Sequence, residues 1–440
     1  MTNRWRRSPD LFARRRRRLA RALRRGVALI PTASPTIYSN DVNNRYRPDS
    51  DFFYLTGFAE PNAVAILAPG RSEGAYWLLV RPRDAEQEIW AGPRAGLEGA
   101  AARFGADVAR PIGELEAVLE QILDGAPVLY YSFGRYQALD PVVTRVLERL
   151  RRARGRQAPP RITDLAVVLH EMRLVKEEAE LKLMRRAAAI TCAAHRRAMA
   201  CVAPGKYEYQ VEAAIEHEFR RRGAAGPAYP TICGSGANAC VLHYTANSRK
   251  MRDGDLLLID AGCEYQLYNA DVTRTLPVNG RFSRPQRELY ELVLEAHGAA
   301  VAAVRPGAAW DATHRAAVKI LAQGLVDLRI LEGGAAAAIR SGALKRFFMH
   351  HTSHWLGLDV HDAGKVHRGG RPRRLASGMV LTVEPGLYLP DDGTIPSPYR
   401  GVGIRIEDDV LVSPSGPVIL TDDLPRTARG VERTMRRRGQ

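Results

Sequence analysis

The chain predicts an α/β fold in two parts, and three observations carry that prediction. Short apolar runs closed by Pro or Gly alternate with helical patterns before residue 165. A polar segment containing Pro159–Pro160, Arg151 to Arg161, then interrupts the pattern. Beyond it one short strand motif occurs twice, each copy ending in an acid.

Taken in order, residues 4–25 read as a basic amphipathic helix, with Leu11, Leu19 and Leu23 on one face. That spacing disfavours an organelle transit peptide, and no uninterrupted apolar segment there has signal-peptide length. The runs "AVAILAPG", "AYWLLVRPR" and "PVLYYSFG" predict strands, with helices over 112–124 and 140–152. Gly155 and the Pro pair mark a linker, so residues 1–165 are expected to form one domain and 166–440 another. A long helix is predicted from Lys176 to Cys201, stopped by Pro204–Gly205. After Tyr229 the chain becomes rich in strand signals and glycine.

Composition narrows the functional classes. With 45% hydrophobic and 26% charged residues, the chain is neither disordered nor collagen-like. Lys and Arg total 65 against 48 acids, a net charge of +17 that first suggests an acidic partner such as nucleic acid. The excess lies in "FARRRRRLARALRR", "RRARGRQAPPR", "RGGRPRR" and "RRRGQ", outside the acidic motifs. It therefore reads as a basic shell, and no specific nucleic-acid partner is expected. Five cysteines without a CxxC pair argue against a disulfide framework or a thiolate zinc site, and fit a reducing cytoplasm. No apolar run approaches membrane-spanning length, so no membrane partner is expected.

The internal echo carries the chemistry. "DGDLLLIDAG" (Asp253 to Gly262) aligns without gaps to "SGMVLTVEPG" (Ser377 to Gly386), placing Asp260 and Glu384 in the same position. Two copies of one strand suggest pseudo-twofold halves meeting at a shared centre. Asp271 lies in "YNADVTRT" and Glu407 in "GVGIRIEDDVLV", again among apolar or β-branched neighbours. Ionised carboxylates in such surroundings cost several kcal/mol unless they are paired or bind metal. Singly each could be a salt-bridged strand-end acid. Together with "MHHTSHWLGLDVHD", which holds His350, His351, His354 and His361, they point to a hard ligand set for Mn²⁺, Co²⁺ or Zn²⁺. Four carboxylates and one imidazole exceed the needs of one tetrahedral ion and suit two ions about 3.5–4 Å apart. The "GSG" at 234–236 lacks the spacing of a phosphate loop, and no GxSxG element is present.

The ordered set Asp260, Asp271, His354, Glu384 and Glu407, flanked by "HWLGLDVHD", "TVEPGLY" and "GIRIEDD", resembles the Xaa-Pro aminopeptidases (aminopeptidase P). "YRPDSDFFYLTGFAEPNAVAIL" is similar to that family's N-terminal domain, and "LHYTANSRKMRDGDLLLIDAG" to the entry of its catalytic half. The resemblance implies a pseudo-twofold, creatinase-like "pita-bread" catalytic domain behind an N-terminal α/β domain. It implies two divalent ions, usually manganese. Asp260 would hold one, His354 and Glu384 the other, and Asp271 and Glu407 would bridge both. A hydroxide between the ions would attack the first peptide carbonyl of substrates with proline second. Glu384 would shuttle the proton toward the proline nitrogen. His243 and His361 would hydrogen-bond the peptide and developing oxyanion, Arg405 and Tyr388 would hold ligand geometry, and Tyr229 would line the proline pocket. His350 joins the substrate-binding residues. Trp90 resembles a tryptophan that can reach an active site across subunits, and dimers or tetramers are implied. Where the family often has Gly after the first His, this chain has His351, expected to point away from the metals.

Three other readings share features of this pattern. Prolidase has the same ligand set and prefers dipeptides. Methionine aminopeptidase lacks a comparable N-terminal domain, so the first 160 or so residues argue against it. A non-catalytic binding module of the same fold would suit the positive charge, yet the intact ligand positions argue against it.

Overall fold

Apolar runs punctuated by turn residues build a mixed six-stranded sheet in the first part of the chain. Its strands lie in the order Val108–Pro111, Tyr76–Val80, Val64–Leu67, Val27–Pro31, Leu129–Tyr130, Ile162–Thr163. Val27–Pro31 pairs antiparallel with Val64–Leu67 and parallel with Leu129–Tyr130. All five of its residues are buried, as a central strand requires. Helices Leu115–Leu123 and Asp140–Arg152 pack their apolar faces into the same core, through Leu119, Ile122, Val143 and Val146. The computed structural model describes residues 9–436. Within them the basic helix runs Pro9–Leu23, with Leu11, Leu19 and Leu23 buried; the expected start at residue 4 lies outside the described residues.

Contacts divide the chain between Arg173 and Leu174, while composition places the break at 165/166. Side chains account for the difference. Tyr54 donates to the Met172 carbonyl at 3.1 Å, and Arg173 Nη1 binds Asp51 Oδ1 at 2.7 Å. These bonds tie the helix Ala166–Leu174 to the first unit. The Pro-rich segment ends an element without ending the unit.

The second unit repeats one plan. Two helices, Glu178–Cys201 and Glu208–Arg221, precede the antiparallel strands Ile232–Ser235, Leu256–Asp260 and Thr273–Pro277. Two more, Arg284–Ala302 and Ala312–Asp327, precede Val380–Val383, Gly386–Leu389, Val402–Arg405 and Asp408–Ser413. The chain from Val402 to Ser413 changes partner midway: Val402–Arg405 pairs with Gly386–Leu389, and Asp408–Ser413 with Val380–Val383. Glu407 sits at this crossover, between strands and not within one as simple alternation with Arg405 suggests. Its N–H donates to Thr273 O at 3.1 Å, which joins the two halves.

The glycine closing each echo motif has a steric reason. A Cβ on Gly262 would lie 1.7 Å from Ala270 O, so only glycine lets the chain before Asp271 fold onto the turn after Asp260. On Gly386 it would meet Tyr388 Oη at 2.7 Å and Ile404 O at 2.9 Å. Gly254, by contrast, faces open space at φ +82. Replacing Gly262 with Ala should therefore cost at least about 1–3 kcal/mol in denaturant unfolding and weaken metal binding. Gly254→Ala should cost only about 1–2 kcal/mol of backbone strain and spare the metal.

Candidate metal centre

Strand ends and turns bring the five predicted ligands of the second unit to one place. Asp260 ends its strand, Asp271 precedes Thr273–Pro277, Glu384 follows Val380–Val383, and Glu407 precedes Asp408–Ser413. Donor atoms of Asp271, His354 and Glu407 all lie within 4.8 Å of one another, with Asp271 and Glu407 buried. His354 Nε2 is 3.3 Å from Asp271 Oδ2 and 3.5 Å from Glu384 Oε1. Its Nδ1 contacts the Trp355 carbonyl at 3.0 Å, so that carbonyl fixes the tautomer and turns Nε2 toward the acids.

Each acid is also braced. Thr273 Oγ1 donates to Glu407 Oε2 at 2.7 Å, and Thr382 Oγ1 to Glu384 Oε1 at 3.2 Å. Arg405 spans the site, with Nη2 on Asp260 Oδ2 at 2.6 Å, Nε on Thr273 Oγ1 at 3.0 Å and Nη1 on Tyr388 Oη at 2.8 Å. Tyr388 in turn meets His350 Nε2 at 2.8 Å, while His350 Nδ1 meets His351 O at 2.8 Å. Burial, with Arg405 nearby, drives His350 down to about 3, so it is neutral. A relay follows in which Arg405 donates to Tyr388 and Tyr388 donates to His350.

The remaining predicted residues take varied positions. The Tyr229 hydroxyl stands between Asp260 Oδ1, at 2.6 Å, and Asp271 Oδ1, so it faces the carboxylates directly. The His361 ring packs edge-on against His354, with centroids 4.5 Å apart. Burial lowers the His361 pKa, and His354 and His243 add to the shift. His243 is exposed in the loop after Gly236–Cys240. His351 is exposed and packs against the His314 ring. Trp90 lies in the first unit on helix Ala85–Ala91, 84% exposed.

Sequence reasoning passed over several supports. Thr273 and Thr382 lie near the ligands in "DVTRT" and "LTVE", where period-two spacing could have identified them. Glu208 had no such signal. It is fully buried and accepts from Ser235 N and Oγ, Asn238 Nδ2, Tyr244 Oη and Arg249 N, organising the loop that carries His243. Asp409 accepts the Asp271 N–H.

The electrostatics fit a cation cradle. Burial raises Glu384 to about 7, with His354 opposing and Asp271 adding to the rise. Burial and the neighbouring Asp271 push Glu407 well above the usual carboxylate range. Burial works against a charged His354, yet its bond to Asp271 and the charge of Glu384 lift it to about 9. Four crowded carboxylates and an imidazole thus share too few cations, and oxygen-rich donors with one imidazole suit a divalent ion.

This arrangement of donors belongs to a class of metal-dependent peptidases. A model of metallopeptidase family M24 matches residues 182–414, and a model of the aminopeptidase P N-terminal domain matches residues 12–130. The chain is 45% identical over 428 residues to an Escherichia coli Xaa-Pro aminopeptidase, covering 96% of this chain and 97% of that protein. A structure of Pseudomonas aeruginosa aminopeptidase PepP superposes with a TM-score of 0.95 at 45% identity, covering 97% of this chain and 98% of that one. A zinc-substituted E. coli aminopeptidase P in complex with product also gives 0.95 at 44% identity, covering 98% and 99%. The chain belongs to the aminopeptidase P family, with a pita-bread catalytic domain. The match to the N-terminal domain separates it from methionine aminopeptidases.

Metal ligation requires neutral His354 and ionised carboxylates. Divalent metal binding should therefore tighten as pH rises through the interval from about 7 to about 9. At pH 7 it should release at least one proton, read from the buffer dependence of calorimetric heats. Heats independent of buffer ionisation enthalpy would contradict this charge state.

Proposed function

We propose that the chain is a manganese-dependent aminopeptidase that hydrolyses the bond between the first residue of a peptide and a proline in second position. The observation that carries this reading is the buried cradle in which Asp271, His354 and Glu407 donors converge. Asp260 would hold one divalent ion, His354 and Glu384 the second, and Asp271 and Glu407 both. Such ions supply a nucleophilic water at neutral pH and polarise the scissile carbonyl.

The chain's own groups then do the proton and positioning work. Glu384, whose carboxylate stands 3.5 Å from His354 Nε2 at the same centre, would take a proton from the attacking water and return it to the departing proline nitrogen. That nitrogen carries no hydrogen in the peptide bond and must gain one to leave. His243 and His361 hydrogen-bond the peptide and the oxyanion as it forms. Arg405, Tyr388 and His350 hold the acids and the substrate wall through the relay described above. Tyr229 orients Asp260 and Asp271 through its hydroxyl, and its ring lines the proline side.

Other features support the setting. All five cysteines are free, consistent with a reducing cytoplasm, and among the described residues no helix is long and apolar enough to cross a membrane. Ile89 and Trp90, 82% and 84% exposed, offer an apolar surface suited to a dimer or tetramer contact.

A Xaa-Pro-Xaa tripeptide should be cleaved with Mn²⁺, lose turnover on chelation and regain it on readdition. Glu384→Ala should lower kcat by on the order of 10²–10⁴. Preference for a Xaa-Pro dipeptide would favour prolidase instead, and failure to cleave either peptide would overturn the reading.

A further inference from the structure

The largest fully buried side chain among the described residues is Arg274, on the face of Thr273–Pro277 opposite Thr273 and Thr275. It is wholly inaccessible, and all five of its N–H groups have acceptors. Nη1 donates to Thr273 O at 2.9 Å and Glu407 O at 2.6 Å. Nη2 donates to Asp408 Oδ1 at 2.7 Å and Leu424 O at 3.3 Å, and Nε to Pro425 O at 3.1 Å. One guanidinium thus joins the strand leading from Asp271, the crossover holding Glu407, and the C-terminal segment.

Asp408 closes the network. Its carboxylate accepts from Thr421 Oγ1 at 2.6 Å, and Arg426 Nε and His297 Nε2 lie 3.1 and 3.2 Å from Oδ2. Arg274, Asp408, Thr421 and His297 are buried, and none of their side chains bonds to the carboxylates of the cradle. Successive residues alternate in direction: Thr273 and Glu407 face the cradle, and Arg274 and Asp408 face the back. The backbone at the crossover is consequently gripped from behind by Arg274 and from the front by Thr273.

We propose that Arg274 is a positioning residue for the metal centre: by clamping the Glu407 and Thr273 carbonyls it sets where the Glu407 carboxylate stands, and it links that position to the segment Thr421–Arg426. The inference rests on the reading of Glu407 as a metal ligand. Lysine cannot replace the arginine, because an ammonium offers three donors and no planar fork for five acceptors on three segments.

The test measures Mn²⁺ affinity by calorimetry and apo-protein melting for Arg274→Lys, Thr421→Val, the paired change Arg274→Met with Asp408→Asn, and Glu407→Gln. Arg274→Lys should weaken Mn²⁺ binding by roughly 10–100-fold. Thr421→Val, which removes one of the donors holding the Asp408 carboxylate against Arg274, loosens the clamp and should weaken Mn²⁺ binding several-fold. The paired change removes both buried charges together. If Arg274 merely neutralised Asp408, that variant would bind Mn²⁺ like wild type; a clamp requires that it bind weakly even where melting is unchanged. Wild-type affinity in a folded Arg274→Lys variant would overturn the inference. Should that variant not fold, wild-type affinity in Thr421→Val would overturn it equally. Glu407→Gln separates the two claims: if it too binds Mn²⁺ normally, the ligand reading fails, and if it alone binds weakly, only the clamp fails.

Discussion

Crowding of like charge in a buried place is the constraint on which the rest of the second unit depends. Asp260, Asp271, Glu384 and Glu407 converge where Asp271 and Glu407 are buried and Asp260 and Glu384 only slightly exposed, and Arg405 reaches only Asp260 directly. Left alone, such a cluster would take up protons or open. The pKa pattern records that strain: Glu384 and Glu407 rise, and His354 rises in response. Divalent ions resolve it, and so binding and local stability are the same quantity here.

Holding that cluster shapes the fold around it. Each half contributes a strand ending near an acid and a return strand preceded by another, so neither half is complete alone. Glycines at 262 and 386 let the turns close to atomic contact. Threonines at 273 and 382 brace carboxylates on the cradle side, while Arg274, held by Asp408, grips the backbone from behind. These contacts restrict where the carboxylates can stand, which lowers the reorganisation needed for binding and catalysis.

Much of this was legible in the sequence because the informative residues are unusual where they stand. Acids at the ends of apolar strands, and a glycine repeated at the same offset, are conspicuous without any structure. The helix Glu178–Cys201 and three strands of the first unit's six-stranded sheet followed from periodicity and Pro/Gly punctuation, while the central strand Val27–Pro31 and the strands Val108–Pro111 and Ile162–Thr163 did not. Arg274 was invisible for the opposite reason. In so basic a chain, an arginine one position after Thr273 looks like surface, and four of its five acceptors are carbonyls that carry no side-chain signature. Glu208 was hidden likewise, since its donors come from four separate residues between Ser235 and Arg249. The boundary near residue 165 shows the same limit, because composition marks the linker but not the Asp51–Arg173 bond that holds the next helix.

The net charge of +17 comes from basic runs outside the acidic motifs in the sequence and does not define this centre. What defines it is the number and place of cations the acids demand. Crystals of the manganese-loaded protein, measured at the manganese absorption edge, test that demand directly. The account predicts two anomalous peaks, both bordered by Asp271 and Glu407, one also by Asp260 and the other by His354 and Glu384. A single peak, or peaks away from these five residues, would contradict it.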